Sequence, residues 1–347
     1  MFSTAGGTGV ASVGFGLAAG LVEAGTGVAF VTLGGGGTDL PSYYEKFGGF
    51  VISAAIDKYV YISANTMFQP GYLLKYAKTE HVDTLDDIEH DLIREVLRHQ
   101  EIEPHLEVVS IADVPAGTGL GSSGSFTVGL LHALHAHRRL HIGAEDLTRM
   151  ACDIEMRILG QPCGRQDQYI AAHGGMLCQE YRTDGSVSVS PLKVGEATLR
   201  DLDENLMLFF TGYSRSASDV LGDQKARSQE DDKEMLDNLH FIKELGLKIR
   251  DTLEKGDTPA FAELMHEHWM HKKVRSAMIT NRRINDLYDH AREHGALGGK
   301  LVGAGGGGFL LFYTHDRRRL RKAMADEGLR EMDFSFDFDG SVVILRN

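Results

Sequence analysis

The chain has 347 residues, 42% hydrophobic and 24% charged, the profile of a folded globular protein long enough for two cores. Its 36 basic and 49 acidic residues leave a net charge of −13, which argues against nucleic-acid binding, where a basic face must neutralise phosphates, but allows a locally basic pocket. Cys152, Cys163 and Cys178 form no CxxC pair and are odd in number, so a reducing, cytoplasmic setting is expected rather than a disulfide framework.

Residues 1–30 are apolar and glycine-rich, contain no Lys or Arg, and are interrupted by Glu23. They fit neither a secretory signal nor a membrane span, and residues 1–27 stand apart as an atypical segment. Val28 to Leu33 reads as a strand running into Gly34–Gly37, and FVISAAIDKYVYISANT as one or two more strands. Residues 82–102 place Leu85, Ile88, Leu92 and Val96 on one helical face. A strand HLEVVSIADV, the loop PAGTGLGSSGS and a helix to about His137 follow. Met150 to Leu159 reads as a helix ended by Gly160-Gln161-Pro162, and GGMLCQEY as a strand. A boundary near residue 190 separates 28–190 from 191–347.

Beyond that boundary LMLFFTGYS reads as a strand, and a long helix runs from about Asp223 to Lys255, stopped by Gly256. Thr258 is the expected N-cap of the next helix, with Pro259 in its first position. KLVGAGGGGFLLFY reads as strand–loop–strand, residues 315–327 as a helix, and FSFDFDGSVVIL as a terminal hairpin. Helices and strands mix without strict alternation, which is an α+β pattern.

The loop Pro115-Ala116-Gly117-Thr118-Gly119-Leu120-Gly121-Ser122-Ser123-Gly124-Ser125 is the most informative segment. Its glycines let backbone approach a ligand, and its serines open a helix whose first N–H groups lack internal partners and favour an anion. It lacks the lysine of a Walker A sequence, so an ordinary P-loop is not indicated.

This loop resembles the nucleotide-binding motif of the GHMP kinase superfamily, which includes galactokinase, homoserine kinase and mevalonate kinase. Gly34-Gly35-Gly36-Gly37-Thr38-Asp39-Leu40-Pro41 resembles the family's sugar-side motif in its D-glycero-D-manno-heptose-phosphate kinase form, and Lys300 to Phe309 resembles its third motif. The resemblance implies an N-terminal domain similar to ribosomal protein S5 domain 2 and a ferredoxin-like C-terminal domain, with the active site between them. It implies ATP as co-substrate with Mg²⁺, and a sugar or sugar phosphate as acceptor, D-glycero-D-manno-heptose 7-phosphate in preference to a hexose or fucose. No nucleic-acid or membrane partner is implied, and the oligomeric state is left open.

On the same resemblance Asp167 is the catalytic base, a carboxylate that accepts the attacking hydroxyl's proton, and Glu155 with Ser123 holds Mg²⁺. Pro115, Gly117, Gly119, Leu120, Gly121, Ser122, Ser123, Gly124 and Ser125 are the expected nucleotide contacts. Gly36, Gly37, Thr38, Asp39, Arg165, Gly305, Gly306, Lys272 and Arg275 are the expected substrate contacts, with Arg215 and Lys273 as further basic candidates. The histidine groups 132, 135, 137 and 266, 268, 271 lack cysteine or carboxylate partners at zinc spacing and read as packing or solvated residues.

One position departs from the family pattern. Phe30 stands where relatives carry an arginine that assists the transferring phosphate, and Val28 where they carry a proline. Three explanations follow: impaired catalysis in a ligand-binding relative, replacement by another cation such as Lys58 or Arg165, or an abnormal N-terminus. A nicotinamide-dependent oxidoreductase, suggested by Gly7-Thr8-Gly9, lacks the strand before the glycines and the acid after the next strand.

Overall fold

The structure, a computed structural model, describes residues 22–212, 217–230 and 232–345; Arg215 and residues 1–21 lie outside them. Seven strands come first in the chain: β1 (Val22–Gly34), β2 (Gly49–Thr66), β3 (Gly71–Lys75), β4 (Thr79–Val82), β5 (His105–Ala112), β6 (Met176–Tyr181) and β7 (Val187–Pro191). The 18-residue β2 is their spine. Its first half pairs with β6, its second half with β5, and β1 runs antiparallel along most of its length. The sequence explains this dual role: the apolar run Phe50–Ile56 is buried on both faces, whereas Tyr59–Ala64 alternates and buries one.

A second, four-stranded sheet is built from β8 (Leu206–Phe210), β9 (Gly298–Leu301), β10 (Phe309–Tyr313) and β11 (Arg330–Met332) in the order β11-β8-β10-β9. Every pairing in it is antiparallel, and helices fill the β8–β9 and β10–β11 connections, which is the ferredoxin-like βαββαβ arrangement. One hydrophobic core joins the two sheets: Leu33, Phe50 and Ile52 from the first meet Leu208 and Leu311 from the second, with Leu245 and Ile249 of helix Lys233–Glu254 between them. Each such side chain contributes about 1.5–3 kcal/mol by leaving water, so the cleft between the sheets has fixed walls.

Several expected elements are corrected. The segment FSFDFDGSVVIL is not a hairpin: β12 (Val343–Leu345) returns to the first sheet and pairs antiparallel with β1 at Ala24 and Gly25. The expected helix 223–255 is two helices, Ala217–Gln229 and Lys233–Glu254, because Asp232 caps the second by accepting from the Met235 N–H at 3.0 Å. Residues 82–102 hold a 3₁₀ turn at Leu85–Asp87 and a helix Asp91–His99. The helix around Met150 spans Ala144–Cys152 and continues as a π-helical turn, Asp153–Ile158. Asp257, not Thr258, caps helix Thr258–Arg275, accepting from the Ala260 N–H at 3.1 Å.

Candidate active site

A cavity of about 830 Å³ opens between the sheets, lined by residues of all three glycine segments. The serine loop is positioned by close backbone packing. Gly119, at φ +84°, and Gly303, at φ +72°, lie so near each other that a Cβ on Gly303 would sit 2.4 Å from Gly119 Cα. A side chain at either position would push the nucleotide loop away from the third glycine segment. The loop then opens helix Ser122–His137, with Ser122 and Ser123 facing the cavity.

Three carboxylates gather on this side. Asp167 lies in the first turn of helix Gln166–His173 and keeps part of its surface on the cavity. It reaches the start of the serine-loop helix because Gly124 has no side chain: a Cβ there would be 2.7 Å from Asp167 Cβ. Asp39 is buried and accepts from the backbone N–H groups of Gly37 at 3.1 Å and Gln166 at 3.3 Å. Gly164 leaves room for it, since a Cβ would fall 1.7 Å from Asp39 Oδ2. Glu155, also buried, accepts from the Ser123 hydroxyl at 2.7 Å and from Gln168 Nε2 at 3.1 Å.

Burial pushes all three carboxyls upward. For Asp39 the Asp39, Gln166 and Gly37 amides and the Arg275 charge pull back, and for Glu155 the Ser123 and Gln168 hydrogen bonds do. Asp167 is raised well above the ordinary aspartate value, by burial first and then by repulsion from Asp39 and Glu155.

The opposite wall is cationic. His268, Lys272 and Arg275 stand at i, i+4 and i+7 of helix Thr258–Arg275 and so share one face; Lys300 of β9 joins them, and all four line the cavity. Lys272 Nζ donates to the carbonyls of Leu301, at 3.0 Å, and Gly303. Arg275 donates from Nε to Asn238 Oδ1 at 2.9 Å and from Nη1 to the Gly36 carbonyl at 3.2 Å, while its buried Nη2 has no partner. Burial lowers every member, Lys272 to about 7, Arg275 to about 10, and Lys300 and His268 well below their ordinary values; repulsion from neighbouring bases adds to it for Lys272, Lys300 and His268, while Asp39 pulls Arg275 back up.

Most expected contacts line the cavity: Pro115, Gly117, Gly119, Gly121, Ser122 and Ser123 for the nucleotide, and Gly36, Gly37, Asp39, Lys272 and Arg275 for the acceptor. Others serve the scaffold. Leu120 is a core residue, and the buried Ser125 hydroxyl donates to the carbonyls of Val28, at 2.7 Å, and Gly121, at 2.9 Å. Gly124 backs Asp167 rather than facing the cavity. The Thr38 hydroxyl donates to Gly35 and Phe50 carbonyls at 2.8 and 2.9 Å. Gly305 and Gly306 pack on Ile279, whose carbonyl accepts from the Gly306 N–H at 2.8 Å. Arg165 turns away: its guanidinium donates to the Gly185 carbonyl at 2.7 Å and lies over the Tyr44 ring.

Phe30 lines the cavity with a buried ring pressed beneath Gly121, where a Cβ would fall 1.9 Å from Phe30 Cε1. Neither expected substitute for the missing arginine is near: Lys58 pairs with Asp57 at 2.7 Å and Arg165 bonds Gly185. The cavity's cations come from the second sheet instead. His132, His135 and His266 make ordinary hydrogen bonds, and His271 stacks on Phe241 at 3.7 Å. His268 is the exception, buried on the cavity with both ring nitrogens unpartnered. Its role, and that of Lys300, went unread in the sequence; the shared spacing of 268, 272 and 275 was the available signal.

A serine-led helix start, buried basic side chains and buried carboxylates share one cleft, the kind of setting phosphoryl transfer uses. The chain matches the family models for the GHMP kinases N terminal domain over residues 90–175 and the GHMP kinases C terminal domain over residues 249–329, and it belongs to that family. It is 29% identical over 322 residues to a D-glycero-alpha-D-manno-heptose 7-phosphate kinase of Campylobacter jejuni, covering 89% of this chain and 94% of the relative. A solved D-glycero-D-manno-heptose 1-phosphate kinase of Bacteroides thetaiotaomicron superposes with a TM-score of 0.76 at 26% identity, over 94% of this chain and 100% of that one. The galactose complex of Lactococcus lactis galactokinase shares the fold, with a TM-score of 0.72 at 18% identity over 93% of this chain and 94% of that one.

Proposed function

We propose that this protein is an ATP-dependent sugar kinase whose acceptor is a heptose phosphate, D-glycero-D-manno-heptose 7-phosphate being the leading candidate. The observation that carries the reading is Asp167 held against the serine-loop helix at Gly124, on the cavity and facing the cationic wall. The heptose assignment rests on the Gly34–Pro41 motif and on the named relatives.

In this reading the triphosphate lies along the serine loop, held by backbone N–H groups and the hydroxyls of Ser122 and Ser123. The apolar end of the cavity, with Val60, Val114 and Phe126, accepts the nucleotide base. Asp39 orients the sugar by accepting from its hydroxyls, and Asp167 takes the proton of the attacking oxygen. The raised proton affinity of Asp167 suits it to that task. Glu155 and Ser123 fit a divalent cation: Glu155 is a buried carboxylate with no basic group among the main influences on it, and the adjacent buried Gln168 Oε1 has no partner. When bound there, Mg²⁺ supplies charge neutralisation to the triphosphate.

The three free cysteines and the use of ATP suit a cytoplasmic setting, and no helix among the described residues is long and apolar enough to cross a membrane. The test is a panel of sugars and sugar phosphates with ATP and Mg²⁺, product read by mass. The expected outcome is a heptose bisphosphate formed at least ~10-fold more efficiently than any hexose or fucose product, by the size of discrimination that pocket contacts supply. A preference for an unphosphorylated hexose would overturn the substrate assignment.

A further inference from the structure

Four nitrogen-bearing side chains, His268, Lys272, Arg275 and Lys300, are each at most 7% exposed and all face the same cavity. Buried charge ordinarily comes with a partner of opposite sign, and here only Arg275 has one, Asp39. The charges acting most strongly on Lys300 are Lys272 and Arg275, both of its own sign. His268 is surrounded by Lys300, Lys272, Arg275 and His271, and neither of its ring nitrogens is bonded. Arg275 feels one carboxylate, Asp39, and its Nη2 is left over. A cluster of this kind is incomplete until an anion with several acceptor oxygens enters it.

Its position says which anion. The serine loop and its helix start supply a phosphate cradle on the other wall, beside Ser123 and Glu155. The cationic face instead reaches the first glycine segment: Arg275 Nη1 donates to the Gly36 carbonyl at 3.2 Å, and a Cβ on Gly37 would lie 2.5 Å from that nitrogen. Asp39, expected to orient the acceptor's hydroxyls, ends the same segment.

We propose that His268, Lys272, Arg275 and Lys300 form the receptor for a phosphate monoester carried by the acceptor sugar, and that this receptor sets the preference for phosphorylated over free sugars. The proposal rests on the kinase reading above and adds the residues that decide between acceptors. Arg275 presents its free Nη2 to a phosphate oxygen, Lys300 supplies the unshared ammonium, Lys272 is anchored to the Leu301 and Gly303 carbonyls with hydrogen to spare, and His268 adds a ring N–H. Burial and repulsion weaken proton binding at His268, Lys272 and Lys300 in the free protein, and an arriving dianion strengthens it again. Binding therefore takes up protons near neutral pH.

The test compares the parent with Lys300→Met. The ratio of kcat/KM for D-glycero-D-manno-heptose 7-phosphate to that for unphosphorylated D-glycero-D-manno-heptose should fall at least ~30-fold, the scale on which losing one member of a buried charged contact acts. The ADP Kd should stay within about threefold. An unchanged ratio, with both sugars falling together, overturns the proposal, and a weakened ADP Kd accompanied by an unchanged ratio assigns the face to the nucleotide's phosphates instead. Melting of Lys300→Met at or near the parent temperature verifies the fold, because methionine matches the length of the buried lysine stem.

Calorimetric titration with the same heptose phosphate, in two buffers of different ionisation enthalpy, needs no turnover. Proton uptake by the parent that is reduced in Lys300→Met supports the receptor even if no sugar is phosphorylated, the outcome that would sink the kinase reading alone. Normal phosphorylation of the heptose phosphate with no proton uptake and no change in the ratio sinks the receptor alone.

Discussion

The two walls of the cleft handle buried charge in opposite ways. On the first sheet, Asp39 and Glu155 each have a ring of donors: backbone amides for Asp39, the Ser123 hydroxyl and the Gln168 amide for Glu155. On the second, His268, Lys272 and Lys300 are packed beside bases, and both His268 ring nitrogens and Arg275 Nη2 lack partners. Acids are pushed up on one side and bases down on the other, both by burial. The lesson is that neither wall is complete alone: the acidic wall calls for a cation and a hydroxyl proton, and the basic wall for an anion. On the proposed reading, a phosphoryl donor and a phosphorylated acceptor satisfy both together.

The largest expected effect breaks the acidic wall. Asp167→Asn keeps the shape against Gly124 but cannot accept a proton, so kcat should fall at least ~10²-fold while the nucleotide Kd changes little. Single-turnover kinetics with a parallel ADP titration measures both, and near-normal turnover would remove Asp167 from the chemistry.

A smaller effect sharpens the basic wall. Lys272, pushed down to about 7, is protonated in the free enzyme below that pH and loses its proton above it. The groups facing it are Arg275, Lys300 and His268, with Asp39 beyond Arg275. An anionic acceptor binds the protonated form, so KM for the heptose phosphate should rise from pH 7 to pH 9, by at most about tenfold per unit for one proton. Lys272→Met should flatten that rise; a KM independent of pH in the parent would place the acceptor's phosphate elsewhere.

The smallest effect concerns Phe30. Its sequence position calls for an arginine, and a defect there would be repaired, on the order of 10-fold or more, by Phe30→Arg through charge at the transferring group. With the Phe30 ring buried beneath Gly121, we expect a change of less than about threefold in kcat/KM, because the serine-loop helix start and the divalent cation proposed at Glu155 and Ser123 neutralise the transferring group. A clear gain, measured on the heptose phosphate beside the parent, would show that the missing arginine limits catalysis.

The sequence by itself determined whatever depends on neighbours along the chain. The three glycine segments, the serine-led helix start, Asp167 in its Gly-Arg-Gln-Asp turn and the mixed α+β pattern were legible because turn chemistry and short motifs are local. Tertiary structure decided the rest. Arg275 meets Gly36 across 239 residues, Gly303 rests on Gly119, and the last strand returns to pair with β1. Arg165 reads as a substrate contact on its sequence, as a basic residue that could hold a substrate phosphate, yet as the residue before helix Gln166–His173 it turns to the Gly185 carbonyl. His268 and Lys300 look ordinary for the converse reason: one lies mid-helix and the other in a four-residue strand, and nothing local to either says that both line the same cavity as Arg275. Burial turns those four residues into a site, and burial is a property of the packed sheets rather than of any segment.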